Sequence, residues 1–211
     1  MDESIDSEDR ERIHRLMSRI ALFFGSFNPI HIGHLALANH IAEFGGVDEV
    51  RFVVSPQNPF KQNLSLMDDA VRLSWVKEAI GDYPRFTVSD IEFSMPKPSY
   101  TSDTLERLSS LEPGNEFVLV MGGDNLASFS GWRRYEWILE HYSILVYPRL
   151  DGPTEIPEEW RSRITMLANA PRIEVSSTFV RKSIVEGKDV RFFVPQRIWA
   201  SVRDEFVKKN R

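Results

Sequence analysis

Between Arg19 and Phe206 short, almost uninterrupted apolar runs alternate with longer amphipathic ones, and this restricts the fold more than any other feature of the chain. RIALFF, EVRFVVSP, RFTVSDIEF, EFVLVMGGD, SILVYP and RIEV read as six strands. Strands that are apolar along most of their length belong to a parallel sheet covered on both faces. Helical periodicity fills the gaps. After Gly33, Leu35, Ala38 and Ala42 recur at i, i+3, i+7, and Leu37, Ile41 and Phe44 at i, i+4, i+7, until Gly45 and Gly46 end the run. Leu73, Val76 and Ile80 give the inner face of a helix over DDAVRLSWVKEAIG. TSDTLERLSSL, with a hydroxyl cap, WRRYEWILEHY, PEEWRSRITML, opened by Pro157, and STFVRKSIVEG read as further helices. Trp199, Val202 and Phe206 mark the last one. The expectation is an α/β protein, one doubly wound parallel sheet spanning residues 19–211. Residues 1–18, rich in charge and poor in apolar side chains, read as a solvated tail.

Composition removes several classes of function. A net charge of -5 offers no global basic field to nucleic acid. The absence of cysteine removes disulfides, thiolate metal sites and cysteine nucleophiles together. The opening MDESIDSEDRER has no apolar stretch of the kind a secretory signal needs, and no later run approaches membrane-spanning length. A cytoplasmic protein with no membrane partner is expected, and an oligomer is compatible with the pattern.

In a doubly wound sheet, ligands bind beyond the carboxyl ends of the strands. The unusual residues gather at those ends. GSFNPIHIGH, from Gly25 to His34, is a small-residue turn between a strand and a helix N-terminus, where free N–H groups and the helix dipole favour an anion. Gly25 and Ser26 allow close backbone approach, and Pro29 stiffens the turn. His31 and His34, three apart, share one face of the first helical turn. Two imidazoles beside free N–H groups suit a phosphate whose charge grows in a transition state. GxxxxGK[ST], GxGxxG and HExxH are all missing, so neither a P-loop nor a protein-held metal is expected. At the other end of the chain, VSSTFVRKS offers the hydroxyls of Ser176, Ser177 and Thr178 at a helix start, and Arg181 as a fork for phosphate oxygens.

The string HIGH in this setting resembles the (H/T)xGH turn of the nucleotidyltransferase superfamily, and VSSTFVRKS resembles its ISSTxxR element. Class I aminoacyl-tRNA synthetases carry the same first string. Three more stretches narrow the likeness: NPFK at Asn58–Lys61, SYTSDTL at Ser99–Leu105, and MGGDNLASFSGWRRYEWIL at Met121–Leu139. In this order the set resembles the bacterial nicotinate-nucleotide adenylyltransferase family, from about Arg19 onward. GSFNP replaces the family's commoner GGTFDP, and NPFK its commoner PPHK; Phe60 removes a histidine contact there.

The resemblance implies a Rossmann-like nucleotidyltransferase fold and adenylyl transfer from ATP to nicotinate mononucleotide in NAD biosynthesis, with Mg2+ arriving on ATP. It implies that His31, His34, Lys61 and Arg181 meet the ATP phosphates and carry the catalysis. Gly25, Ser26, Phe27, Ser176, Ser177 and Thr178 complete the ATP site, with Gly122 and Asp124 toward the adenosine. Tyr100, Thr101, Asp124 and Trp132 receive the pyridine nucleotide, Trp132 by stacking on the ring; core packing is the other reading of Trp132. Three alternatives stay open: another adenylyltransferase such as the phosphopantetheine enzyme, an aminoacyl-tRNA synthetase, and a nucleotide sensor without catalysis.

Overall fold

The computed structural model describes residues 17–56, 66–149 and 155–209. Six strands form one sheet: β1 (Arg19–Gly25), β2 (Glu49–Val54), β3 (Phe86–Ser89), β4 (Glu116–Gly122), β5 (Ser143–Tyr147) and β6 (Ile164–Met166). Every pairing is parallel, in the order β3-β2-β1-β4-β5-β6. The chain winds outward from β1 to β3, crosses back to β4 beside β1, and winds outward again. The reversal opens a crevice between the carboxyl ends of β1 and β4.

Side chains alternate between the two faces. Ala21 and Phe23 of β1 join Val50 and Phe52 of β2 on one face. That face is covered by α1 (Ile32–Phe44), α2 (Asp69–Ile80), α6 (Ser177–Val185) and α7 (Trp199–Lys209), through Leu37, Ile41, Trp75, Val180 and Phe206 among others. Ile20 and Leu22 face the other way with Leu119 and Ile144. Leu105 and Leu108 of α3 (Thr101–Leu111) and Ile138 of α5 (Tyr135–His141) cover them. A single helical turn, α4 (Gly123–Leu126), and a 3-10 turn at Phe129–Gly131 link β4 to α5.

Several local expectations change. The sixth strand is Ile164–Met166, inside the segment expected to be helical from Pro157, and RIEV forms no strand. Glu158, Glu159, Arg161 and Arg163 are all exposed, which leaves too narrow an apolar stripe for a helix; only a 3-10 turn at Glu158–Trp160 forms. Ile164 instead pairs with Ile144 on the open edge of β5. The third strand stops at Ser89, whose Oγ accepts the Ile91 N–H at 3.3 Å, and Ile91–Ser94 continues as a 3-10 turn. Helix α5 starts at Tyr135, because Arg134 sits in the left-handed region at φ 57. Its guanidinium is held by both oxygens of Glu106, at 2.9 and 3.1 Å, and lies 4.1 Å from the Trp137 ring. Trp132 therefore belongs to the preceding turn. Phe44 is 75% exposed, so the α1 stripe ends at Ala42. The inner face of α2 is Arg72, Trp75 and Val76, with Leu73 and Ile80 half-buried beside it. Ser18 already belongs to the fold, since its carbonyl accepts the Glu116 N–H at 3.0 Å; residues 1–16 lie outside the described residues.

Candidate active site

A cavity of about 480 Å³ opens at the crevice. Gly25, Ser26, Phe27, His31 and His34 line it beyond β1, and Asp124, Asn125 and Ser128 beyond β4. Tyr147 and Arg149 come from the end of β5, and residues 171–178 with Arg181 close the far wall.

The first turn is built around a folded-back ring. Phe27 has φ 44, a region few non-glycine residues enter, and its side chain is 1% exposed. A Cβ on Gly25 would stand 2.7 Å from that ring, so only glycine fits there. The Phe27 ring meets His34 edge-on at 5.1 Å and supports it from below. His31 is the N-cap of α1, and its backbone N–H donates to His34 Nδ1 at 3.2 Å. The two imidazoles stack at 3.7 Å. His31 is 5% exposed, with Nδ1 buried and without a hydrogen-bond partner. Burial first, and the positive charge of Arg149 second, hold its pKa down at about 4. It meets a ligand as a neutral imidazole at physiological pH.

The second turn is stitched to the first across about three-quarters of the chain. Ser177 Oγ donates to the Pro29 carbonyl at 2.9 Å, and Arg181 Nη1 to the Asn28 carbonyl at 2.8 Å. Arg181 Nη2 donates to Thr178 Oγ1 at 3.1 Å. Ser176 Oγ caps α6 by accepting the Phe179 N–H at 3.1 Å. These side chains thus join the two turns as well as lining the cavity.

Arg72, which sequence reasoning missed, holds the turn from behind. It is fully buried and donates to the carbonyls of Ser26, Ser55 (2.9 Å) and Met67 (3.0 Å), with Asp69 as its counter-ion. A buried charge is tolerable only when so fully bonded. Its signal was a lone charge on an apolar helical stripe, four residues before Val76. Arg149, also missed, lies two residues beyond the end of β5, 4.0 Å from Asp124. Gly122 does not line the cavity; a Cβ there would stand 2.3 Å from Asp124 Oδ1, so the glycine makes room for that carboxylate. Among the described residues no three metal-ligating side chains converge. The lining is instead suited to an anion, with Arg149, Arg172 and Arg181 set against Asp124 and Glu174. Asn58–Lys61, and Lys61 with it, lies outside the described residues.

Tyr100, Thr101 and Trp132 form a second group, none of them in the lining of the cavity. Tyr100 is the N-cap of α3 and Thr101 its first residue. The Arg133 guanidinium lies 4.8 Å from the Tyr100 ring and bonds Asp103 at 3.1 Å, which ties the Trp132 turn to this helix start. Trp132 is partly buried on the second core, edge-on to Phe129 at 5.4 Å.

Parallel winding in this order, with two turns meeting around a cavity at its reversal, is the fold of a nucleotidyltransferase, and residues 22–183 match the Cytidylyltransferase-like family, to which the chain belongs. Within it, the chain groups with the nicotinate-nucleotide adenylyltransferases. A probable nicotinate-nucleotide adenylyltransferase of Flavobacterium johnsoniae is 46% identical over 193 residues, 90% of this chain and 100% of that protein. One from Bacteroides thetaiotaomicron is 44% identical over 192 residues, 91% of this chain and 94% of that protein. The fold is shared with the Plasmodium falciparum nicotinic acid mononucleotide adenylyltransferase solved with NaAD, at a TM-score of 0.72 and 20% identity, covering 92% of this chain and 96% of that one. No helix among the described residues is long and apolar enough to cross a membrane.

Proposed function

We propose that this chain transfers the adenylyl group of ATP to nicotinate mononucleotide, giving nicotinate adenine dinucleotide and pyrophosphate, a step of cytoplasmic NAD biosynthesis between small anions. The observation that carries the reading is the pair of contacts from Ser177 to Pro29 and Arg181 to Asn28, which join two anion-binding turns around one cavity.

The acceptor 5′-phosphate is already an anion and needs no protein nucleophile. It attacks the α-phosphorus in line and expels pyrophosphate, so the protein's task is positioning and charge stabilisation. His31 and His34 face the phosphate whose charge grows in the transition state, with Lys61 and Arg181 on the departing phosphates. The first turn of α6, at Ser176, Ser177 and Thr178, holds the triphosphate at a helix N-terminus. Asp124 faces the sugar or adenosine, and Arg149 adds a cation to the phosphate wall. Mg2+ arriving with ATP would shield the phosphate charge and keep much of its water, and Asp124 and Glu174 are the carboxylates of the lining that would face it. Tyr100, Thr101 and Trp132 take the pyridine ring, with the first N–H groups of α3 turned to its carboxylate.

The test is pyrophosphate release with ATP and Mg2+ against nicotinate mononucleotide, nicotinamide mononucleotide and phosphopantetheine. Release with the first alone, or at least about tenfold faster in kcat/KM, is expected. Release with phosphopantetheine alone reassigns the acceptor. ATP binding without release from any of the three identifies a sensor.

A further inference from the structure

Glu92 takes no part in the cavity, yet it is among the most thoroughly enclosed charged side chains of the fold, at 2% exposure. It follows β3 in the 3-10 turn Ile91–Ser94. One carboxylate oxygen accepts from Ser99 Oγ at 2.8 Å and the other from Thr104 Oγ1 at 2.8 Å. The Ser55 hydroxyl, at the end of β2, supplies a third hydrogen bond. These donors come from three places: the carboxyl end of β2, the loop before α3, and the first turn of α3. Tyr100 and Thr101 lie between Ser99 and Thr104.

We propose that Glu92 is a positioning residue for the acceptor nucleotide: it locks the Ser99–Thr104 turn to the end of β2 and so fixes the helix start that receives the pyridine carboxylate. The inference rests on the acceptor site proposed above. Two hydroxyls of the turn, those of Ser99 and Thr104, are spent on Glu92. The Tyr100 carbonyl accepts the Asp103 and Thr104 N–H groups, at 3.0 and 3.1 Å. The N–H of Thr101, a half-buried residue, precedes any intrahelical acceptor and is the one a ligand would meet, while Ser102 is fully buried. Discrimination between a carboxylate and a carboxamide needs such donors held in place, because a loose turn re-forms around either group. The cradle of His31, His34 and Arg181 touches Glu92 nowhere directly and meets it only through Ser55 and Arg72, so the larger effect falls on the pyridine nucleotide.

The experiment compares Glu92→Ala, Glu92→Gln, Ser99→Ala and Thr104→Val with the wild type. For Glu92→Ala, KM for nicotinate mononucleotide rises about tenfold or more and the acid-over-amide ratio of kcat/KM falls by a similar factor. KM for ATP stays within about twofold. Glu92→Gln keeps the shape and one carbonyl acceptor, and restores most of the loss. Should Glu92→Ala fail to fold, Ser99→Ala and Thr104→Val must each move the same KM in the same direction by a smaller factor. Equal rises in both KM values, or an unchanged acid-over-amide ratio, overturn the proposal. Hydrogen exchange at the amides of residues 101–104, without substrate, decides the anchoring separately. Faster exchange in Glu92→Ala supports it, and unchanged exchange sinks it. A wild type inactive on nicotinate mononucleotide refutes the proposed acceptor, and the exchange result then stands alone.

Discussion

His31 makes stability and pH report on the active site. Its imidazole is 5% exposed, and burial with Arg149 nearby lowers its pKa from 6.5 to about 4. In the unfolded chain the imidazole titrates at its ordinary value. Between these two values the unfolded state binds more protons than the native state, so unfolding free energy rises with pH across that window. Stability from this residue is complete above the unfolded pKa and is lost as pH falls toward the native one. Linkage over the cited shift puts the loss at about 2 kcal/mol near pH 5 and about 3 kcal/mol once both states are protonated. Urea denaturation from pH 4 to pH 8 measures it, with His31→Gln as the comparison. Gln keeps a polar side chain but has no proton to take up, so its profile lacks this component. Carboxylates titrating in the same range contribute equally to both proteins and cancel in the difference. A constant difference between the two profiles from pH 4 to pH 8 refutes the assignment of His31 as a buried neutral imidazole. Saturating ATP adds a second readout. Polyphosphate beside His31 favours the imidazolium, so titration calorimetry in two buffers should show proton uptake on binding near pH 6 that His31→Gln lacks.

The other expectations concern turnover. His34→Ala lowers kcat by about a hundredfold with a smaller change in KM for ATP, the signature of a donor that matters in the transition state; steady-state kinetics on a folded variant decides it. Arg181→Lys keeps the charge but cannot span both the Asn28 carbonyl and Thr178 Oγ1, so kcat/KM for ATP falls by about tenfold or more, and wild-type kinetics in that variant reduces Arg181 to a surface charge. Trp132→Ala weakens nicotinate and nicotinamide mononucleotides alike, since both rings stack equally; competition assays showing a changed acid-over-amide ratio contradict that role. Removing residues 1–16 leaves melting temperature and kcat/KM unchanged, whereas a cut extending past Ser18 removes the carbonyl that bonds Glu116 and lowers the melting temperature.

The sheet was legible because its strands are apolar on both faces, a pattern that little else in a chain of this length produces. The two turns that line the cavity were legible because each is contiguous: GSFNPIHIGH and VSSTFVRKS each lie within ten residues. What escaped was chemistry assembled from distant parts. Arg72 looks like an interruption of an apolar stripe until three carbonyls from the ends of β1 and β2 and the loop before α2 are placed around it. Glu92 sits in a run that reads as strand, but after Ser89, whose hydroxyl accepts the Ile91 N–H, the chain goes into a 3-10 turn. The sixth strand was missed for a related reason. ITM is too short for its own periodicity to speak, and it becomes a strand because β5 presents an open edge to Ile164. Edge strands are specified by their neighbour as much as by their own residues.

Net charge shows the same division between global and local. The chain is acidic, at -5, and so carries no global basic field. The cavity is nonetheless lined by three arginines and two imidazoles against two carboxylates. The cations of the lining lie at the carboxyl end of the sheet: Arg149 after β5, Arg172 before α6 and Arg181 within it. A polyanion entering there meets helix N-termini and guanidinium groups in a partly enclosed space, where attraction is stronger than over open surface. The acidic remainder of the surface repels the same polyanion elsewhere. Raising ionic strength should therefore weaken ATP binding less than it would for a ligand held on an exposed basic patch, because the cavity pairs are screened least.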